Sequence, residues 1–320
     1  MPRIGTVIRE VYHRPGADAL PAQLEDHYGI RVTATARLTE GVFRVDHDAG
    51  PPWVARMMLT SRPLARTEDD AEILRFLERQ GFPAERGADP KPVTMLDGRA
   101  ILVTEYLTGK RPASSPSTRH RLGDLLGRLH TLVTEPGPAQ RPGGALHHLP
   151  QFEGEPAQDL AAAAALLADL DGRVPDEHRP LYELIGRLLP EADGGHGLPE
   201  AFVHPDPVKG NVIVTPDGPV FVDWTGAGRG PRLASLAGLL HTVGPGHAGD
   251  VLAGYRKHTE LTAGELDRLE GVLWIRPLWL AAWQCWLACV SPKVSVAFVP
   301  DRAYITALAA QVRAHGGGPA

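Results

Sequence analysis

The stretch AFVHPDPVKGNVIVTPDGPVFVDWTGAGRGPR, residues 201–232, decides the reading of this chain. An apolar run ending at Val203 leads into His204-Pro205-Asp206, and Asn211 follows Asp206 by five positions. NVIVT (211–215) and PVFVD (219–223) alternate as strands do, and Pro216-Asp217-Gly218 between them supplies turn chemistry. A hairpin of that length is expected to bring its two ends together, so Asn211 and Asp223 are predicted to lie side by side near Asp206. Each of the three alone reads as a polar residue capping a turn. Three at this spacing, flanked by strands, read as a catalytic or metal-binding set.

The chemistry follows from the residue types. One carboxylate and one amide oxygen suit Mg²⁺, which keeps several waters and shares phosphate oxygens. A second carboxylate, free of the metal, can orient a hydroxyl and take its proton. An amide, a carboxylate that can hold the metal and a second carboxylate free of it form an arrangement suited to phosphoryl transfer.

Outward from this segment the chain changes texture. RVTATARLTEGVFRVDHDAG (31–50) reads as two strands around Gly41, and WVARMML (53–59) as a third. EDDAEILRFLERQG (68–81) opens with acids and closes at glycine, which predicts a helix with Ile73, Leu74 and Leu77 on its apolar side. VTMLDG and RAILVTEYL (93–107) predict a hairpin turning at Asp97-Gly98. After Gly109 the pattern becomes helical: 121–133, 157–170 and 179–192 carry apolar residues at helical spacing, and so does most of the chain from 232 onward. The division predicted is a β-rich lobe over 1–108 and a larger, mainly helical lobe over 109–320, with a ligand cleft between them.

The motif H-x-D-x(4)-N, a strand, a D-G turn, a strand ending in D-W and a Gly-rich GAGRGP resembles the aminoglycoside phosphotransferase family, with choline kinase-like relatives. The resemblance is specific over about thirty residues and extends more loosely from about 30 to 290. It implies an α+β, bilobal, protein-kinase-like fold and a kinase that uses ATP and Mg²⁺. The acceptor it implies is a hydroxyl of a small aminoglycoside-, sugar- or amino-alcohol-like molecule. Asp206 would face that hydroxyl, Asn211 and Asp223 would hold Mg²⁺, and His204 would be the structural histidine of the catalytic loop, counted with the cofactor-binding set. Arg56 would face the ATP phosphates with Glu72 as its ion-pair partner. Thr104-Glu105-Tyr106-Leu107 would be the hinge, with Glu105 and Leu107 meeting adenine through backbone groups. Lys209 reads as a surface lysine, with the γ-phosphate as its alternative partner.

The sequence departs from the family's pattern at Pro205, where Gly is usual, and at Ser235, where relatives commonly carry an Asp that braces the loop. These departures keep a non-catalytic binding module as one alternative. A kinase of Ser or Thr in a peptide of a natural-product pathway is the other.

Composition narrows the remainder. Of 320 residues, 43% are hydrophobic and 22% charged, a globular balance. The net charge is −5, which lacks the basic surplus of a nucleic-acid binder. Two cysteines, Cys285 and Cys289, exclude a disulfide framework and suit a reducing compartment. No apolar leader opens the chain, so a cytoplasmic location is expected. LWIRPLWLAAWQCWLACV (273–290) has the length of a membrane span but contains Arg276, Pro277 and Gln284, and it reads as a core helix holding four of the six tryptophans. A wall of the acceptor pocket is the alternative for those tryptophans. The sequence leaves the oligomeric state open.

Overall fold

The computed structural model describes Glu10 and residues 17–145, 150–291 and 296–316. They divide into two compact units. One takes the N-terminal part up to Lys110 together with Ile213–Thr225; the other takes most of Arg111–Val212 and continues from Gly226.

The N-terminal unit is built on a five-stranded antiparallel sheet in the order β1-β2-β3-β5-β4. Its strands are β1 (Val32–Thr39), β2 (Val42–His47), β3 (Trp53–Met57), β4 (Val93–Leu96) and β5 (Arg99–Glu105). All three predicted strand groups are present. Asp97 and Gly98 turn β4 into β5 with φ of 49° and 75°, the left-handed pair that a two-residue hairpin demands. Val45, Ala55, Met57, Ile101 and Val103 alternate onto one face and pack there with α1 (Leu20–Tyr28) through Leu20 and Leu24. Helix α2 (Leu64–Arg79) begins four residues before its acidic segment, directly after Pro63, and has no side-chain cap.

The hairpin β7 (Val212–Thr215) and β8 (Gly218–Phe221) forms as expected. Its membership differs from the sequence reading, which put it with the helical lobe. Backbone pairing explains the difference: Phe221 N–H donates to Pro83 O at 3.3 Å, Glu85 N–H to Phe221 O at 3.3 Å, and Lys110 and Val214 exchange bonds of 3.0 and 2.8 Å.

The C-terminal unit is helical apart from a two-stranded ladder of β6 (Glu200–Val203) and β9 (Gly228–Pro231). Its helices are α3 (Pro116–His130), α4 (Pro156–Leu170), α5 (Arg179–Leu188), α6 (Arg232–Val243), α7 (Ala248–Tyr255), α8 (Ala263–Asp267), α9 (Leu269–Leu273), α10 (Ile275–Val290) and α11 (Arg302–Gly316). Ser115 caps α3 by accepting from Thr118 N–H. Helices α3 and α7 touch backbone to backbone. A Cβ on Gly123 would stand 1.9 Å from Val251 O, and one on Gly254 would stand 2.0 Å from His120 O.

The tryptophan-rich segment is α10, and Trp274, Trp279, Trp283 and Trp286 are all at most 8% exposed, as core packing requires. Among the described residues no helix is long and apolar enough to cross a membrane. Cys285 and Cys289 are free thiols one turn apart, and burial pushes Cys285 up to about 12.

Candidate active site

The catalytic-loop candidates lie in the C-terminal unit. Strand β6 ends at Val203 and delivers His204, which is fully buried. Asp206 N–H donates to His204 Nδ1 at 3.1 Å, so the ring folds the loop back on itself. That buried ring shapes the loop and exposes no atom of its own. Ser235, on α6 and 5% exposed, donates its hydroxyl to His204 O at 3.0 Å. The loop thus has a brace at the position where the sequence reading found none.

Asp206 is held from two sides. Asn211 Nδ2 donates to Asp206 O at 2.9 Å and to Asp206 Oδ2 at 3.2 Å. Arg276, one residue into α10, donates through Nη1 to Asp206 Oδ1. Side-chain exposures of 28% for Asp206 and 19% for Arg276 leave the pair reachable while sheltering it from full screening. Lys209 reaches Ser114 Oγ at 3.1 Å and takes no part in this cluster. A small, mostly apolar hollow lies beside the loop, open to solvent. Pro205, Ala237, Gly238 and Ile275 line it, and its charged groups are Arg276 and the buried Asp159.

The phosphate-side candidates lie in the N-terminal unit. Arg56 points from β3 to two carboxylates: Nη1 stands 3.0 Å from Asp223 Oδ1 and Nη2 stands 4.0 Å from Glu85 Oε1. Burial alone would lower the Arg56 pKa, but the charges of Asp223, Glu85 and Asp70 hold it above its ordinary value. Glu85 is 5% exposed, and burial pushes its pKa up against the pull of Arg56. It accepts from Asp223 N–H at 2.7 Å and from Thr104 Oγ1 at 3.2 Å. Asp223 itself sits at φ 69°, one of two non-glycine residues with positive φ among those described. Phe221 and Trp224 on either side are buried, and Trp224 Nε1 donates to Phe221 O at 3.1 Å.

Glu72 is not the partner of Arg56. It is exposed and pairs with Arg75, because helical spacing puts Asp70, Ile73, Leu74 and Leu77 on the buried face of α2 and Glu72 on the opposite one. The inward acid of that helix is Asp70, 1% exposed and 2.9 Å from Arg62.

At the hinge, β5 ends on Glu105, whose N–H is already given to Arg86 O at 2.9 Å, while Tyr106 N–H goes to Pro52 O at 2.9 Å. Among the described residues no backbone acceptor takes the Leu107 N–H, so Leu107 rather than Glu105 keeps a donor open. Arg44 stacks over the Tyr106 ring at 4.7 Å.

The donor chemistry suits Mg²⁺, with one oxygen donor in each unit. Asn211 commits its amide nitrogen to Asp206, which leaves its carbonyl oxygen without a protein partner among the described residues. Asp223 offers a carboxylate that is 38% exposed. The described residues contain no cluster of three or more His, Cys, Asp or Glu that could hold a metal.

Arg276 and Glu85 were missed in the sequence. Arg276 read only as a charge interrupting an apolar run; an arginine opening a buried helix does require an anion, and that was the available signal. Glu85, between Ala84 and Arg86, carries no signal of its own.

The chain resembles known proteins. A sequence model described as the phosphotransferase enzyme family matches residues 35–272. No curated protein matches the chain. Among solved structures, a spectinomycin phosphotransferase in complex with ADP and spectinomycin has a TM-score of 0.57 at 14% identity, over 88% of each chain. A choline kinase from Streptococcus pneumoniae has a TM-score of 0.57 at 13% identity, over 92% of this chain and 97% of its own. An amicoumacin kinase in complex with AMP-PNP and Ca²⁺ reaches 0.58 at 16% identity, over 98% and 92%. At these identities the structures establish the shared protein-kinase-like fold.

Proposed function

The chain belongs to the phosphotransferase enzyme family, and from that premise we propose that it moves the γ-phosphoryl group of ATP, with Mg²⁺, to a hydroxyl of a small aminoglycoside-, sugar- or amino-alcohol-like molecule. Family membership makes it an alcohol-directed phosphotransferase.

The observation that carries it is the setting of Asp206. Its carboxylate is fixed by Arg276 and Asn211 and its backbone by His204, beside a small open hollow. Phosphoryl transfer asks for positioning and charge more than for covalent chemistry. Asp206 would orient the acceptor hydroxyl and take its proton as the new O–P bond forms and the β–γ bridge breaks. Asn211 and Asp223 would hold Mg²⁺, which when bound neutralises phosphate charge. Arg56 would meet the phosphates and Leu107 N–H the adenine edge. On this reading the phosphate side, with Arg56 and Asp223, falls to the N-terminal unit and the acceptor side, with Asp206, to the C-terminal unit. The neighbours support the acceptor class by what they bind: spectinomycin in one, choline chemistry in another.

The test is ADP release over a panel of aminoglycosides, amino alcohols, sugars and Ser/Thr peptides, with Asp206→Asn as control. Acceptor-dependent release lost in Asp206→Asn is the expected result. Peptides accepted in place of every small molecule overturn the acceptor class. Acceptor-dependent turnover untouched by Asp206→Asn overturns the site.

A further inference from the structure

We propose that Glu85 is a positioning residue that couples the metal-side carboxylate to the phosphate-side cation, holding Asp223 by its backbone and Arg56 by its charge. The inference rests on the roles of Arg56 and Asp223 proposed above. Glu85 stands on the segment that runs beside β8, with Glu85 N–H bonded to Phe221 O at 3.3 Å, and this places its side chain against the turn that follows. One carboxylate then serves three groups: Asp223 N–H at 2.7 Å on Oε1, Arg56 Nη2 at 4.0 Å on Oε1, and Thr104 Oγ1 at 3.2 Å on Oε2.

A packing role alone would not favour this residue. A carboxylate taken out of water is destabilising unless it is paired, and an apolar side chain of similar volume does at least as well. The contacts Glu85 makes have a clear use. Asp223 occupies the left-handed region, which a non-glycine residue holds only when its surroundings insist. The charge-assisted bond from its N–H to Glu85 supplies that insistence.

The second use concerns Arg56. In this structure Arg56 Nη1 lies 3.0 Å from Asp223 Oδ1, an oxygen that a metal would also seek. When Asp223 turns to a cation, Arg56 needs another anion nearby, and Glu85 is that anion. With Glu85 made neutral, Arg56 has only Asp223 as a near carboxylate partner and competes with the metal for it. Loss of the Glu85 charge therefore weakens Mg²⁺ while leaving metal-free nucleotide binding intact, because the positive charge beside the phosphates is not reduced.

The experiment is calorimetry of the full chain with AMP-PNP, first without metal and then across an Mg²⁺ series, on wild type, Glu85→Gln, Thr104→Val and Asp223→Asn. Glu85→Gln keeps the oxygen that receives Asp223 N–H and removes the charge. The expected result is a rise of about ten-fold in half-saturating Mg²⁺, with metal-free AMP-PNP affinity changed by less than about three-fold. Thr104→Val leaves the carboxylate in place and removes one of its donors, so it gives a smaller shift of the same sign. It stands in for Glu85→Gln if that variant does not fold. An unchanged Mg²⁺ requirement in every folded Glu85 or Thr104 variant overturns the proposal, as does an equal loss of metal-free and metal-bound affinity. Asp223→Asn separates the two readings. If Asp223→Asn keeps the wild-type Mg²⁺ requirement, the metal assignment itself falls. If Asp223→Asn loses it and Glu85→Gln does not, only the Glu85 inference falls.

Discussion

Arg276, on the first turn of α10, donates its guanidinium to the carboxylate of Asp206, seventy residues earlier in the chain. The pair fixes one oxygen of Asp206 while Asn211 fixes the other, so the carboxylate is oriented before any acceptor arrives. Preorganisation of this kind is worth most when the reacting group must meet a hydroxyl at one angle. Arg276→Ala is expected to lower kcat by about ten-fold or more with KM for ATP little changed, a loss of at least ~1.4 kcal/mol in transition-state binding. Arg276→Lys should recover only part, because a point charge does not reproduce the planar fork. Steady-state kinetics with a working acceptor checks both, and equal kcat in Arg276→Ala would assign the pair to packing alone.

Asp206→Asn keeps the shape and loses the charge. Turnover should fall by ~10²-fold or more, in the range of general-base contributions, with ATP affinity nearly constant. Single-turnover rates alongside nucleotide titration separate the two quantities. A turn-capping role for Asp206 predicts no change, since Asn caps equally well.

The close contact of α3 and α7 gives a stability prediction independent of function. Gly123→Ala would drive a methyl group into Val251 O, a backbone atom that cannot step aside. A cost of about 1–3 kcal/mol or more is expected, read as a fall in Tm. Gly246→Ala is the control, because a Cβ there meets nothing within 4 Å.

His130 sets a pH dependence. It is buried against Tyr255 OH at 2.8 Å, and its Nε2 has no partner among the described residues. Burial, helped by the charge of Arg232, drives its pKa down from 6.5 to about 3. The folded state thus binds fewer protons than the unfolded state between these values. The stability of the neutral form is complete above pH 6.5 and is lost as pH falls towards 3, by at most ~1.4 kcal/mol per pH unit. Urea midpoints at pH 7.5 and 5 should differ less in His130→Gln than in wild type. An equal difference in the two would remove His130 as the cause.

Elements governed by local chemistry were legible in the sequence. The Asp97-Gly98 turn, the β7–β8 hairpin and the Asp206–Asn211 spacing each follow from residues a few positions apart. Pairings at long range were not. Glu85 and Asp223 are separated by 138 positions, and no periodicity encodes which buried acid a distant arginine will choose. Glu72 shows the cost of reading charge without face: the acid of its helix that points inward is Asp70, and the acids that meet Arg56 lie outside the helix.

The burial of the tryptophans has a spectroscopic consequence. Trp279, Trp283 and Trp286 lie on α10 of the C-terminal unit and Trp274 directly precedes it, with the Trp279 and Trp283 rings 5.2 Å apart and Trp286 Nε1 bonded to Asp169 Oδ2 at 2.9 Å. Trp53 and Trp224 belong to the other unit. Native emission is therefore dominated by a shielded, blue-shifted cluster that reports the C-terminal unit. Replacing Trp53 and Trp224 with Phe would leave a chain whose fluorescence follows the melting of that unit alone, with no dye attached.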